Sequence, residues 1–320
     1  MSCTTVLLST GLNTIYSRPL KGTQIRLLAL QPRRNDERLS WHLLVADLAD
    51  KSLCYEAISY VWGSQETPAT IYCKNDLDDE YHQLPIPQNA EDALEAVREP
   101  QSERLLWIDS ICISQASVDE KSAQVAMMDS IFSNAKAVLI WLGSDEDFRP
   151  PIAAELFDRM AVWCRNTTPE MLEGALRTDI YSNSRQCLRY SESEVELLLN
   201  AFECAWVWRL WCVQEVVLAK KAVVHWARVK TPWDIFSTVT MYIQASEQAA
   251  IARIGLAGIY NVTMLEFFRR QLADSSTKAI TALTSTAAHM NVWRHGIFPE
   301  TGAFLPSAKS HENAWRYRPP

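Results

Sequence analysis

No apolar run in the sequence approaches the ~18 residues that cross a bilayer, and residues 1–20 lack a basic segment followed by a long apolar one. Neither a membrane span nor a secreted chain is expected, and the location read from this is cytoplasmic. Glycine is scarce, at 9 of 320 residues. No glycine-rich loop leads into a helix, and Gly255-Leu256-Ala257-Gly258 is too weak a pattern for a phosphate cradle. A Gly-x-Ser-x-Gly elbow is also missing, which removes the usual serine hydrolase signature. The 6 histidines include no i, i+4 pair, and the 8 cysteines form no Cys-x-x-Cys pair and no zinc spacing. Reduced, buried thiols in a reducing compartment are expected, and Cys112 or Cys212 would be a nucleophile only with a histidine folded beside it. Positive charge is in deficit. Lys and Arg number 31 against 38 Asp and Glu, a net charge of −7 with the basic residues spread along the chain, so nucleic acid is not an expected partner.

The rest of the composition is that of a folded protein: 48% apolar, 22% charged, and long enough for one large domain or two smaller ones. The 12 tryptophans are read mainly as core. Short β-forming runs at 25–30 and 40–47 are followed by 55–63, which runs into a loop at Gly63. After a weaker strand at 70–73, the prolines at 85 and 87 exclude helix, and Asn89 caps a helix with Ala90, Ala93, Leu94 and Val97 on one face. Residues 105–113 read as a buried strand. Helix resumes near Asp119, with Val125, Met128, Ile131 and Phe132 as its apolar stripe, and 137–142 is a further strand. Helices are expected at 152–164, across 192–219 and again after 248, with a strand at 223–225 and a loosely held tail at 298–320. Alternation of strand and helix predicts an α/β fold with a mainly parallel sheet flanked by helices, whose ligands bind at the strands' carboxyl ends.

Five segments then stand in a telling order: YEAISYVWG at 55–63, LPIPQNAEDALEAVR at 84–98, LLWIDSICISQ at 105–115, EKSAQVAMMDSIFSNAKAVLIWLG at 120–143 and RLWCVQEVVLA at 209–219. This series resembles the fungal heterokaryon incompatibility (HET) domain. The resemblance covers about half the chain and implies a HET domain over 1–240 with a helical C-terminal extension over 241–320. It departs from the family at Ser114, where Asn is usual, at His225-Trp226, where Gly is usual, and after residue 250, where a later block is not recognisable. HET domains are in turn similar to TIR domains, flavodoxin-like α/β modules of which some hydrolyse NAD. Those enzymes carry Trp-Cys-x-x-Glu, and Trp211-Cys212-Val213-Gln214-Glu215 has the same spacing.

The resemblance implies a role in non-self recognition and programmed cell death, with NAD as a candidate substrate and no cofactor. Glu215 is the candidate catalytic carboxylate. It would stabilise an oxocarbenium-like transition state as the nicotinamide leaves. On a continuous helix it would share a face with Trp208 and Trp211, an aromatic wall for a ring, or else pack against the sheet in a salt link with an arginine. The candidate substrate-binding residues are Tyr60, Trp62, Gly63, Asp109, Gln115, Glu120, Arg209 and Trp211. Each has a structural alternative. Asp109 either lines the cleft or ties down the 59–63 loop, with Arg209 as its candidate ion-pair partner; Trp62 either meets ligand or packs a strand end; Gly63 serves close approach or a turn; Glu120 suits a helix N-terminus. Two other functions stay open: a non-enzymatic module that self-associates or binds an allorecognition partner, and an inactive, divergent paralogue.

Overall fold

The computed structural model describes residues 15–33, 39–63, 68–74, 81–143, 150–166, 191–209, 211–226, 229–245 and 256–274. Residues 76–80, whose acidic run Asp76 to Glu80 reads as a loop, the link through 167–190 and the tail expected at 298–320 lie outside these. The chain divides into the units Met1–Glu266 and Phe267–Pro320. In the second, the described residues are the end of one helix, where the rings of Phe267 and Phe268 meet edge to face.

The first unit is an α/β fold around a nine-stranded sheet in the order β5-β4-β2-β1-β6-β3-β7-β8-β9. The strands are β1 (Gln24–Leu30), β2 (Ser40–Asp47), β3 (Glu56–Ser59), β4 (Ala69–Lys74), β5 (Tyr81–Ile86), β6 (Arg104–Trp107), β7 (Ala137–Trp141), β8 (Ala222–Trp226) and β9 (Val229–Pro232). The centre, β6-β3-β7-β8, is parallel throughout. Numbered by appearance along the chain, these four strands run 2-1-3-4, the order of a flavodoxin-like doubly wound sheet, with the reversal of winding beside β3. Antiparallel pairs flank the centre on both sides, β1 against β6 and β9 against β8. Burial follows this division. Every residue of β7 is buried, as a strand covered on both faces requires, whereas β2 alternates as a half-exposed strand does.

Helix α1 (Gln88–Val97) returns the chain to β6, and Ala90, Ala93, Leu94 and Val97 form its buried face as expected. Asn89 does not cap it. Pro87 occupies that position, and the Asn89 amide instead donates to the carbonyl of Val61 while its oxygen accepts from Trp141 Nε1 at 2.8 Å. The strand expected over 105–113 stops at Trp107, and Asp109–Cys112 closes into a short helical turn, α2. The expected helix near Asp119 is two: α3 (Val118–Val125), capped by Ser117, and α4 (Met128–Asn134). The prolines at 85 and 87 excluded helix correctly, yet Pro85 sits inside β5, tolerable because β5 ends the sheet.

Between β7 and β8 run α5 (Pro150–Asn166) and α6 (Glu192–Glu203), and beyond β9 come α7 (Trp233–Ala245) and α8 (Leu256–Asp274). Aromatic rings knit this side together: Trp226 meets Phe157 edge to face at 5.6 Å, and Trp206 meets Trp233 likewise at 6.2 Å. Gly258 of α8 lets that helix close on α6, since a Cβ there would stand 1.8 Å from the carbonyl oxygen of Phe202. No described helix is long and apolar enough to cross a membrane.

His225 of β8 is 2% exposed. Burial, then the charges of Lys230 and Arg104, hold its imidazole at about 3, against an ordinary 6.5. The unfolded chain therefore takes up a proton that the fold refuses, and stability present above pH ~6.5 is lost as pH falls toward ~3. A His225→Gln variant is expected to show a shallower decline across that window in urea unfolding series at stepped pH; an unchanged slope would place the titration elsewhere.

Candidate functional site

The reversal of winding beside β3 puts the carboxyl end of that strand, Ser59 and Tyr60, where a doubly wound sheet offers a ligand crevice. The segment that covers it follows α6. Helix was expected without interruption over 192–219, but it breaks after Glu203 into a 3-10 turn (Ala205–Trp208), an extended Arg209 and a π-helical turn (Val213–Val217). The break undoes the shared face: Trp208 and Trp211 are exposed, at 40% and 42%, while Glu215 is 2% exposed.

Glu215 is engaged on both carboxylate oxygens. Ser59 Oγ donates to Oε2, and the same hydroxyl accepts from Trp206 Nε1 at 2.7 Å. Arg209 donates to Oε1 at 3.4 Å, and its other nitrogen donates to the carbonyl of Tyr60. The link therefore ties the end of β3 to the covering segment through a buried ion pair. Burial pushes the Glu215 carboxyl above the ordinary carboxylate range, against the pull of Arg209 and Ser59. Burial works against the charge on Arg209 too, but Glu215 and Asp109 hold that charge in place. The arginine is thus the partner of Glu215, and no ion pair with Asp109 forms among the described residues.

Asp109, just past β6, accepts from Trp62 Nε1 at 2.9 Å and from the Ser110 backbone at 2.7 Å. It ties down the 59–63 loop, one of its two expected roles. Burial raises its carboxyl above the usual range, opposed by Arg209 and Trp62. Trp62 is accordingly a tether. Gly63 has a φ of 71°, with nothing closer to an added Cβ than Asn89 at 3.8 Å, so backbone geometry and not crowding selects glycine there. Tyr60 is buried, with its hydroxyl turned toward Asp109 and Ser110.

Glu120 and Gln115 belong elsewhere. Glu120 accepts twice from the buried Arg26, once at 3.1 Å, and also takes the Ser114 backbone N–H at 2.7 Å. Its neutralisation by Arg26, itself under the Tyr16 ring, makes it a structural anchor joining α3 to β1. Gln115 is exposed and spans the turn after β6, donating to the carbonyls of Asp109 and Ile113. It lines a cleft together with Ser110 and Ser114, and neither Glu215 nor Arg209 borders that cleft. The structure thus gathers Tyr60, Trp62, Asp109, Arg209 and Glu215 at the carboxyl ends of β3 and β6, leaves Trp211 on the surface and separates Glu120.

Ser59, Trp206 and Arg26 were absent from the expected set. The one signal for Ser59 was a hydroxyl inside an apolar core strand, a residue that must find a partner. Neither cysteine is a nucleophile: burial pushes the Cys112 thiol up to about 12 and that of Cys212 well above its ordinary value, and the latter donates to the Trp206 carbonyl at 3.0 Å. Among the described residues no group of three or more His, Cys, Asp or Glu could hold a metal ion.

Glu215→Ala leaves the largely buried Arg209 without its ion-pair partner, held only by the Tyr60 carbonyl, and is expected to cost about 3 kcal/mol of stability. Ser59→Ala removes one donor and should cost about 1–3 kcal/mol. Urea unfolding of both singles and the double variant measures their coupling; strictly additive losses would show that the hydroxyl and the acid do not act together.

A family described as heterokaryon incompatibility protein (HET) matches residues 55–215, from the start of β3 to the π-helical turn. The chain is also similar to heterokaryon incompatibility protein 6, OR allele, of Neurospora crassa, at 28% identity over 218 residues. That match covers 61% of this chain and 32% of the relative, so the chain spans about a third of the relative's length. No solved structure matches.

Proposed function

Since the chain belongs to the heterokaryon incompatibility family, we propose that it is a fungal non-self recognition domain that works by association with a protein partner, a second copy included, and that this association leads to programmed cell death. The observation that carries this reading is the contrast within one short segment. Glu215, the candidate catalytic acid, is sealed and paired, while Trp208 and Trp211 in the same segment present their indoles to solvent. Exposed tryptophans are costly in a protein that meets no partner, and this residue type anchors interfaces. The buried ion pair then has a fitting role, because it holds the turn that displays them.

Trp208→Ser with Trp211→Ser is expected to cost about 1–3 kcal/mol of stability, leaving a folded chain by circular dichroism, while abolishing concentration-dependent association in sedimentation velocity and the death response on co-expression in a fungal host. Association and death that persist unchanged in this variant would refute the reading.

A second reading, NAD cleavage, is favoured by one specific observation. The acid of the Trp211-Cys212-x-x-Glu215 spacing, which resembles that of TIR enzymes, sits on a π-helical turn over the carboxyl end of β3, a location common to functional sites and to nucleotide crevices. In this reading association shifts Arg209 and opens the carboxylate to ribose. Nicotinamide release by concentrated protein, lost in Glu215→Gln, would support it; no release in the associated state would leave the association module alone.

A further inference from the structure

At the carboxyl ends of β3 and β6 the fold encloses charges that do not balance. Glu215 and Asp109 are two acids, and Arg209 is the one cation that acts on both among the described residues. The guanidinium is anchored by one nitrogen on the Tyr60 carbonyl, while the other reaches Glu215 only at 3.4 Å, and 22% of the side chain is exposed. We propose that Asp109 is a proton-operated latch: when neutral it leaves Arg209 to Glu215 and the covering segment stays closed, and when ionised it draws on the same guanidinium and loosens that segment.

The bonding around each acid decides which of them takes the proton. Ser59 Oγ accepts from Trp206 Nε1 at 2.7 Å, so its own hydrogen is left for Glu215 Oε2, and Oε1 faces Arg209. Glu215 thus meets donors alone, the surroundings of a carboxylate. Asp109 accepts from Trp62 Nε1 at 2.9 Å and from the Ser110 backbone N–H at 2.7 Å, and the Tyr60 hydroxyl is turned toward both it and Ser110. A hydroxyl donates to a carboxylate and accepts from a carboxyl, so Asp109 is satisfied in either state. Two anions against one cation would leave an uncompensated buried charge, and burial raises both carboxyls above the ordinary range, against the pull of Arg209. Titration then belongs to the pair, and the geometry puts its proton on Asp109.

The phenol and thiols that face the pair keep their protons. Burial pushes the Tyr60 hydroxyl and the Cys212 thiol well above their ordinary values and the Cys204 thiol up to about 11. Helix α4, packed on the π-helical turn, brings one charged side chain, the exposed Asp129, and α8 meets the 3-10 turn through the neutral Asn261. Opening the segment returns both carboxyls to their ordinary range, so opening releases a proton. Closure is therefore complete in acid and weakens as pH rises through the raised range, the opposite sense to His225. Its output is the stretch that carries Trp208 and Trp211, but the latch belongs to the network itself and does not rest on either functional reading.

The indole N–H signals of Trp62 and Trp206, each bonded to one arm of the network, report the two acids separately in NMR spectra of nitrogen-labelled full-chain protein. As pH is raised from the ordinary carboxylate range to mildly alkaline, the Trp62 signal is expected to shift with Asp109, and the Trp206 signal to follow through Ser59 and Glu215. Over the same range the amides of residues 213–217 should lose protection from hydrogen exchange, after correction for the intrinsic rate. Asp109→Asn, which has the shape of the neutral acid, is expected to abolish that loss of protection and the Trp206 shift, with the segment closed throughout. An Asp109 that only braced the loop would leave the pH dependence of the segment as in the wild type. His225 is common to both proteins, so their difference isolates the acids. Should Asp109→Asn fail to fold, the paired steps of the two wild-type signals decide alone. The proposal is overturned by a Trp62 signal without a step, by a Trp206 signal that does not move with it, or by exchange that depends on pH equally in Asp109→Asn.

Discussion

A buried charge pair is the condition on which the rest of this molecule stands. Taking a carboxylate and a guanidinium out of water costs several kcal/mol per ion, and only close geometry with extra hydrogen bonds offsets that. Here the offset is assembled from two distant stretches of chain. Ser59 ends β3, Trp206 lies in a 3-10 turn, and Arg209 and Glu215 flank the start of a π-helical turn. None of these can shift alone, because each satisfies a neighbour that would otherwise be buried and unpaired. The geometry thereby welds the covering segment to the sheet at the one point where winding reverses.

A second tether of similar design lies close to the first. Arg26 on β1 and Glu120 on α3 neutralise each other, and Glu120 also gathers the Ser114 backbone. Together with the Trp62 to Asp109 bond, this fixes the loops at the ends of β3 and β6 without any metal or disulfide bond among the described residues. The family match from 55 to 215 begins at β3 and ends at Glu215 itself, so it takes in three of the four central strands, β3, β6 and β7, and the keystone acid, while β1, β2, β8 and β9 fall outside it.

What could be read in the residues, and what could not, divides along the reach of the forces involved. The central strands were legible because burial on both faces leaves an unbroken apolar run, as in 137–141. The first helix was legible because its buried positions repeat at helical spacing. Breaks within helix-like composition were not: nothing local distinguishes 192–219 from one continuous helix, since Arg209 is extended in order to reach Tyr60 and Glu215 rather than because its own propensity demands it. The site divided in the same way. The candidate acid was found from its spacing to Trp211, but its enclosure depends on Ser59, 156 residues earlier, and no periodicity encodes that distance. Glu120 matched a helix start electrostatically, but its partner Arg26 stands 94 residues away, beyond the range of any local pattern.

The two strands that bound the sheet, β5 and β9, each carry a proline, Pro85 and Pro232, and β9 adds the half-exposed Lys230. A proline offers no amide to a neighbouring chain, and a lysine resists an apolar one, so both rims are closed to templated strand addition of the cross-β kind. Under the proposed association, this separates permitted from forbidden encounters: copies would join side chain to side chain through the tryptophan surface, while these edges give the backbone ladder little to extend from one molecule into the next.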